Sequence, residues 1–161
     1  MDSKKLLLID TGPIRELIAY KAVFTLRFQQ LRSDLKFVSE NVSYARFGKY
    51  VASFQKKSTT ASVVAELNRW VRKTDPSGRK RIWSLIYDEF RDMGMEEQLV
   101  KLLDMPLDLV ARCGPTDVSL LKLAQQQIDS DPVVLTIDQG LVSECWRAKI
   151  RTMHIQEILA N

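Results

Sequence analysis

Lys4-Lys5-Leu6-Leu7-Leu8-Ile9-Asp10, followed at once by Thr11-Gly12-Pro13, decides how the rest of the chain is read. Four apolar residues in an unbroken run, with no polar alternation, predict a strand covered on both faces. Pro13 suits the first turn of a helix, and Asp10 or Thr11 can cap it. The same grammar returns at Val133-Val134-Leu135-Thr136-Ile137-Asp138, a second apolar run that ends in an acid before a helical stretch, 139–148. Two buried strands, each feeding a helix, predict an α/β chain with a mostly parallel sheet.

The stretches between them fill in the alternation. Ser58-Thr59-Thr60-Ala61 is short and β-prone, and 62–73 reads as an amphipathic helix. Asp75-Pro76-Ser77-Gly78 reads as a turn before a long helix, 79–93, stopped by Gly94. A third strand is expected at 97–103 and a short helix at 106–112, broken by Gly114-Pro115. Thr116 is the expected N-cap of a helix reaching 127 or 128. Asp129-Ser130-Asp131-Pro132 reads as a turn, 150–154 as a fifth strand and the last residues as a helical end. Residues 21–38 mix aromatic, basic and apolar side chains and read as a loop or irregular helix, with a helix starting at Ser39-Glu40. The expected architecture is therefore a three-layer α/β/α sandwich around a five-stranded sheet. It forms one domain over 1–161, with an extended helical or irregular segment at about 21–54.

Composition narrows the classes. A chain of 161 residues with 45% hydrophobic and 27% charged residues is an ordinary globular balance. No stretch approaches the ~20 apolar residues of a membrane span. The N-terminal apolar run is too short for a secretory signal, so the expected location is the cytoplasm. Cys113 and Cys145 lack the spacing of a metal knuckle and read as reduced thiols. A net charge of +4 is a mild pointer to an anionic partner.

Four carboxylates stand in unusual places. In α/β sheets ligands bind at the carboxyl ends of the strands, where Asp10 and Asp138 lie. Helix capping is the plain alternative for both. Glu66 lies on or beside the stripe Val63, Leu67, Trp70 and Val71 of its helix, where an unpaired carboxylate is costly. Asp117 precedes Leu120 and Leu121 by three and four residues, again on the inward face, although an acid in a first turn is also favoured by the helix dipole. Four acids gathered in one cleft would need a cation to stay ionised together. Oxygen ligands suit Mg²⁺ or Mn²⁺, one or two ions, rather than zinc. The lone His154 reads as a packing or surface residue.

These stretches resemble the motifs of a known family. The run 6–14 ending in Asp10-Thr11-Gly12-Pro13-Ile14 is similar to the opening motif of PIN domains. Ala65-Glu66-Leu67 is similar to the second motif, Gly114-Pro115-Thr116-Asp117 to the third, and Val134-Leu135-Thr136-Ile137-Asp138-Gln139-Gly140-Leu141 to the fourth. The resemblance runs in order over nearly the whole chain, with nearest similarity to prokaryotic members such as VapC-type toxins. Residues 21–54 depart from that pattern, being longer, more basic and more aromatic.

The resemblance implies a PIN-like fold and a Mg²⁺- or Mn²⁺-dependent endoribonuclease of single-stranded RNA. Asp10, Glu66, Asp117 and Asp138 would be its metal-holding and catalytic residues, and the products would carry 5′-phosphate and 3′-hydroxyl ends. It leaves open a homodimer and an inhibitory protein partner, as in a partner-regulated toxin or defence nuclease. A catalytically weak nucleic-acid-binding or scaffold module is the non-enzymatic alternative. A haloacid-dehalogenase-type phosphatase is disfavoured, because its second Asp would fall where Gly12 stands. Thr11 and Thr136 are candidates for orienting a ligand carboxylate or a water. Basic groups for a nucleic-acid backbone are Lys56-Lys57, Arg72-Lys73, Arg79-Lys80-Arg81 and Arg147-Lys149-Arg151. Tyr20, Phe24, Phe28 and Tyr44 could stack bases or pack in the core.

Overall fold

β1 (Leu6–Ile9) and β4 (Val133–Thr136) are buried at every position, as apolar runs without alternation require. The computed structural model, which describes residues 5–160, pairs these two strands in parallel at the centre of the sheet. Leu7 lies opposite Val133 and Ile9 opposite Leu135, and the Asp10 amide extends the ladder by donating to the Leu135 carbonyl at 3.0 Å. The expected start of the first strand at Lys4 lies outside the described residues.

β2 (Lys56–Thr60) lies on the other side of β1, and β3 (Met95–Gln98) lies outside β2. β5 (Arg151–His154) pairs with β4. The order is β3-β2-β1-β4-β5, with every pairing parallel. From β1 the chain steps outward in one direction through β2 and β3, then returns to β4 and steps outward in the other. The reversal falls between β1 and β4, and a crevice opens at the carboxyl ends of strands at such a point. Asp10 and Asp138 follow these two strands.

The helices are α1 (Thr11–Thr25), α2 (Asn41–Ala52), α3 (Ala61–Arg72), α4 (Pro76–Met93), α5 (Leu107–Cys113), α6 (Pro115–Gln126), α7 (Gln139–Arg147) and α8 (Ile155–Ala160). They cover the sheet as a three-layer α/β/α sandwich, with one apolar core formed around the central strands. Among the described residues no helix is long and apolar enough to cross a membrane.

Residues 21–38 take a definite form. α1 continues to Thr25 and a 3-10 turn follows at Gln29–Asp34. The next stretch is held by a residue that sequence pattern did not single out. Glu16 on α1 is 2% exposed, and its carboxylate accepts from the amides of Lys36, Phe37 and Val38 at 2.9, 3.2 and 3.1 Å. Three donors satisfy a charge that burial would otherwise penalise. Tyr20 packs against Phe24 and stacks on Tyr44, with ring centroids 4.6 and 4.7 Å apart, so these aromatic rings are used in packing.

Three expectations are corrected. The third strand is Met95–Gln98, not 97–103. Gly94 ends α4 in the left-handed region (φ 62°), and the strand begins immediately after it. β3 is an edge strand with exposed glutamates and so carries no apolar run, whereas Leu99, Leu102 and Leu103 are exposed. The stretch 75–78 is a helix start rather than a turn: Pro76 opens α4 and Gly78 is buried in its first turn. Glycine is required there because a Cβ would sit 1.9 Å from the Phe28 ring. Thr116 does not cap α6; Gly114 (φ 84°) occupies that position.

The Gly78–Phe28 contact predicts a coupled pair. Gly78→Ala should destabilise the protein by about 1–3 kcal/mol through overpacking. In a Phe28→Ala background the same change should be neutral or stabilising, by up to about 1 kcal/mol, because alanine favours helix over glycine. Urea unfolding of the four proteins in the cycle measures the coupling, and additive effects would refute it.

Candidate functional site

The four acids named from the sequence are brought to the crevice by four different elements. Asp10 precedes α1, Glu66 lies on α3, Asp117 in the first turn of α6, and Asp138 precedes α7. Three threonines tie them together. Thr136 donates its hydroxyl to Asp10 Oδ2 at 2.6 Å and accepts the Asp138 amide at 2.9 Å. Thr11 donates to Glu66 Oε2 and Thr116 to Glu66 Oε1, each at 2.8 Å. Each threonine is adjacent to, or two residues from, one acid in the chain and donates to a different one. Thr11 and Thr136 were expected near the site. Thr116 was not, because a threonine before a helix reads first as a cap.

Deeper contacts set the positions of these threonines. Thr60, at the end of β2, bonds through its hydroxyl to Ser119 at 2.7 Å, and Ser119 donates to the Thr116 carbonyl at 2.7 Å. Thr60 also caps α3 through the Val63 amide. The end of β2 therefore fixes the starts of both α3 and α6. Gly12 packs so closely on Ile137 that a Cβ would meet its Cγ1 at 2.4 Å, which brings the start of α1 against the β4–α7 junction. His154, packed edge-on to Phe37, accepts the Gln156 amide at Nδ1, so Nε2 carries the proton that bonds to the Ile137 carbonyl at 3.2 Å. It is a packing residue beside the site.

The capping alternatives hold for both strand-end acids without using up their oxygens. Asp10 Oδ1 accepts the Thr11 amide at 2.6 Å. Asp138 Oδ1 accepts the Gly140 and Leu141 amides at 2.6 and 3.0 Å, and among the described residues Oδ2 makes no hydrogen bond or ion pair. Glu66 sits beside the buried stripe of α3, its side chain 37% exposed, with Arg69 at 3.8 Å. Asp117 stands apart from the others. It is half-buried and, among the described residues, finds neither a hydrogen-bond donor nor a cation.

The acids register one another electrically. Burial raises Asp10 to about 6; its Thr136 and Thr11 bonds work against that shift, while the charges of Glu66 and Asp138 add to it. Asp117 is pushed up to about 7, first by burial and then by Asp10, Asp138 and Glu66. Cys145, buried beneath the cluster, is driven to about 12 by burial and then by Asp117, Asp10 and Glu144, so its thiol stays protonated. Oxygen donors of this kind match a hard divalent cation. Among the described residues no group of three or more His, Cys, Asp or Glu side chains already stands in metal-holding geometry.

A cleft of about 510 Å³ opens beside the acids, and Thr11 and Glu66 form part of its wall. Of the basic clusters named from the sequence, only Arg72-Lys73 reaches this cleft, through Lys73. Arg79 instead closes the α3–α4 joint by donating to the Thr74 and Arg72 carbonyls. Arg147 is paired with Glu144 and Arg151 with Asp131. Lys56 and Lys57 begin β2, at the opposite end of the sheet from the acids. No family model and no curated protein matches the chain.

The pH dependence follows from the two raised acids. A carboxyl whose folded pKa lies above its unfolded value near 3.8 binds more protons when folded. Its stabilising contribution is therefore full below about 4 and is lost as pH rises through about 6 for Asp10 and about 7 for Asp117. With chelator present, Tm should fall between pH 5 and pH 8 once the ordinary baseline is subtracted. Asp117→Asn should flatten that fall, and an unchanged slope in the variant would contradict the assignment.

Proposed function

We propose that this protein is a divalent-metal-dependent nuclease that hydrolyses phosphodiester bonds, with single-stranded RNA as the substrate. The observation that carries the reading is Asp117: a half-buried carboxyl without a partner among the described residues, facing three other acids at the topological switch point of a parallel sheet. The first turn of α6 favours an acid, yet burial and the neighbouring acids outweigh that, and proteins keep such unfavourable groups where function uses them. The ordered resemblance to the four PIN-domain motifs supports the same reading.

Asp10, Asp117 and Asp138 would hold Mg²⁺ or Mn²⁺, with Glu66 completing the set. When bound, such an ion makes a water more acidic and offsets charge on the attacked phosphate. The protein's own residues supply placement. Thr136 fixes the Asp10 carboxylate and the start of α7 together, while Thr11 and Thr116 hold Glu66 from two sides. Asp10 keeps one oxygen on a helix amide and the other on Thr136, so its orientation is set before any ligand arrives.

Two variants test this. Asp10→Asn and Asp117→Asn should each lower Mn²⁺-dependent cleavage of a single-stranded oligoribonucleotide by on the order of 100-fold or more, through loss of charge at the reacting phosphate. Asp117→Asn should at the same time leave Tm at pH 8 unchanged or higher. Calorimetric titration with Mn²⁺ should show binding in the parent protein and much weaker binding in either variant. Full cleavage in both variants, or cleavage in excess chelator, would overturn the proposal, and a non-enzymatic scaffold would show no Mn²⁺ binding at all.

A further inference from the structure

The face of α3 that presents Glu66 continues as Arg69 and Lys73. Arg69 follows Glu66 by three positions and Lys73 follows Arg69 by four, about 4.5 Å and about 10.5 Å beyond Glu66 along the helix axis. Both line the cleft beside the acids, with Arg15 and Gln30 also on its walls. Arg15 commits Nη2 to Asp34 at 2.9 Å and lies 5.4 Å from the Trp70 ring, yet its buried Nε has no acceptor. Lys73 has no ion-pair partner among the described residues. Asp75 also borders the cleft, but the Ser77 hydroxyl binds it.

We propose that this cleft seats the phosphate backbone of the strand next to the cut, with Lys73, Arg69 and Arg15 each facing a phosphate and Glu66 marking the end nearest the reacting one. The proposal rests on the nuclease reading above and names how that site takes its substrate. Positive groups stepped at helix spacing down one wall suit the successive charges of an extended strand. Among the described residues the one ring lining the cleft, Trp70, is buried and carries Arg15 on its face. No exposed aromatic surface there offers base stacking. Contacts to phosphate position a strand without reading its sequence, so the grip is indifferent to base identity.

The second cation-rich cleft, beside the exposed Trp146, differs in its place. Two of the three cations are paired with acids in each cleft, but the second adjoins the beginning of β5, away from the carboxyl ends where the acids stand.

Fluorescence anisotropy with a labelled single-stranded oligoribonucleotide, in chelator so that no cleavage occurs, tests the proposal. Lys73→Ala and Arg69→Ala, both exposed, are compared with Lys56→Ala at the far end of the sheet. Each cleft variant should weaken binding several-fold and reduce the slope of log affinity against log salt by about one. The loss should be the same for adenine-rich and uracil-rich strands, and Lys56→Ala should bind like the parent. With Mn²⁺ present, Lys73→Ala should raise KM while calorimetric Mn²⁺ affinity stays at the parent value. If the parent binds and cleaves RNA and the cleft variants match it, the cleft assignment is wrong and the nuclease reading stands. If the parent neither binds nor cleaves RNA, both fall.

Discussion

The gathering of four carboxylates at one crevice, two of them raised by burial and by their neighbours, is the constraint around which this molecule is arranged. Burial first, and then the like charges nearby, raise the proton affinity of Asp10 and Asp117. The fold answers mainly with neutral donors, and Arg69 stands 3.8 Å from Glu66. Three threonine hydroxyls bond Asp10 and Glu66, and three backbone amides at helix starts bond Asp10 and Asp138. Hydroxyls and amides hold a carboxylate in place without neutralising it. The negative field of the cluster is therefore kept, and Asp117 carries most of its cost.

The topology makes this arrangement possible. β1 and β4 are neighbours in the sheet although more than a hundred residues separate them in sequence, so the acids that follow them meet across the switch point. The supporting polar groups come from further out. Thr60 and Ser119 connect the end of β2 to the start of α6, which places Thr116 and Asp117 opposite the start of α1. Burial is nearly complete for this inner set, with Thr60 and Ser119 fully enclosed. A buried hydroxyl pair of this kind tolerates little change, since either partner left alone would lose its bond without regaining water.

Much of this was legible in the sequence, and the unread portion has physical causes. Unbroken apolar runs ending in acids announced β1 and β4, because strands covered on both faces need no alternation. β3 could not be read the same way, because its outward residues face solvent and its identity comes from pairing with β2. Gly78 looked like turn chemistry, although its reason is the Phe28 ring lying against it, a partner fifty residues away. Glu66 and Asp117 were found because they interrupt apolar faces. Thr116 and Glu16 were not, since a threonine before a helix and a glutamate within one carry no local mark of what they bind. The cations beside the site, Arg15 and Arg69, belong to no basic cluster, and only the fold brings them together.

Arg15 and Glu16 are consecutive residues on α1 that both reach the segment 34–38. Arg15 holds Asp34, and Glu16 holds the amides of residues 36–38, so the wall of the cleft at residues 30–34 is tied back to α1. Asp10 caps the same helix. The acid that begins the helix, the guanidinium just over one turn along it and the wall which that guanidinium holds thus belong to one connected piece. Such a piece works as a ruler: the separation between Asp10 and Arg15 is set by helix pitch, and a strand seated between them would be measured against a fixed length.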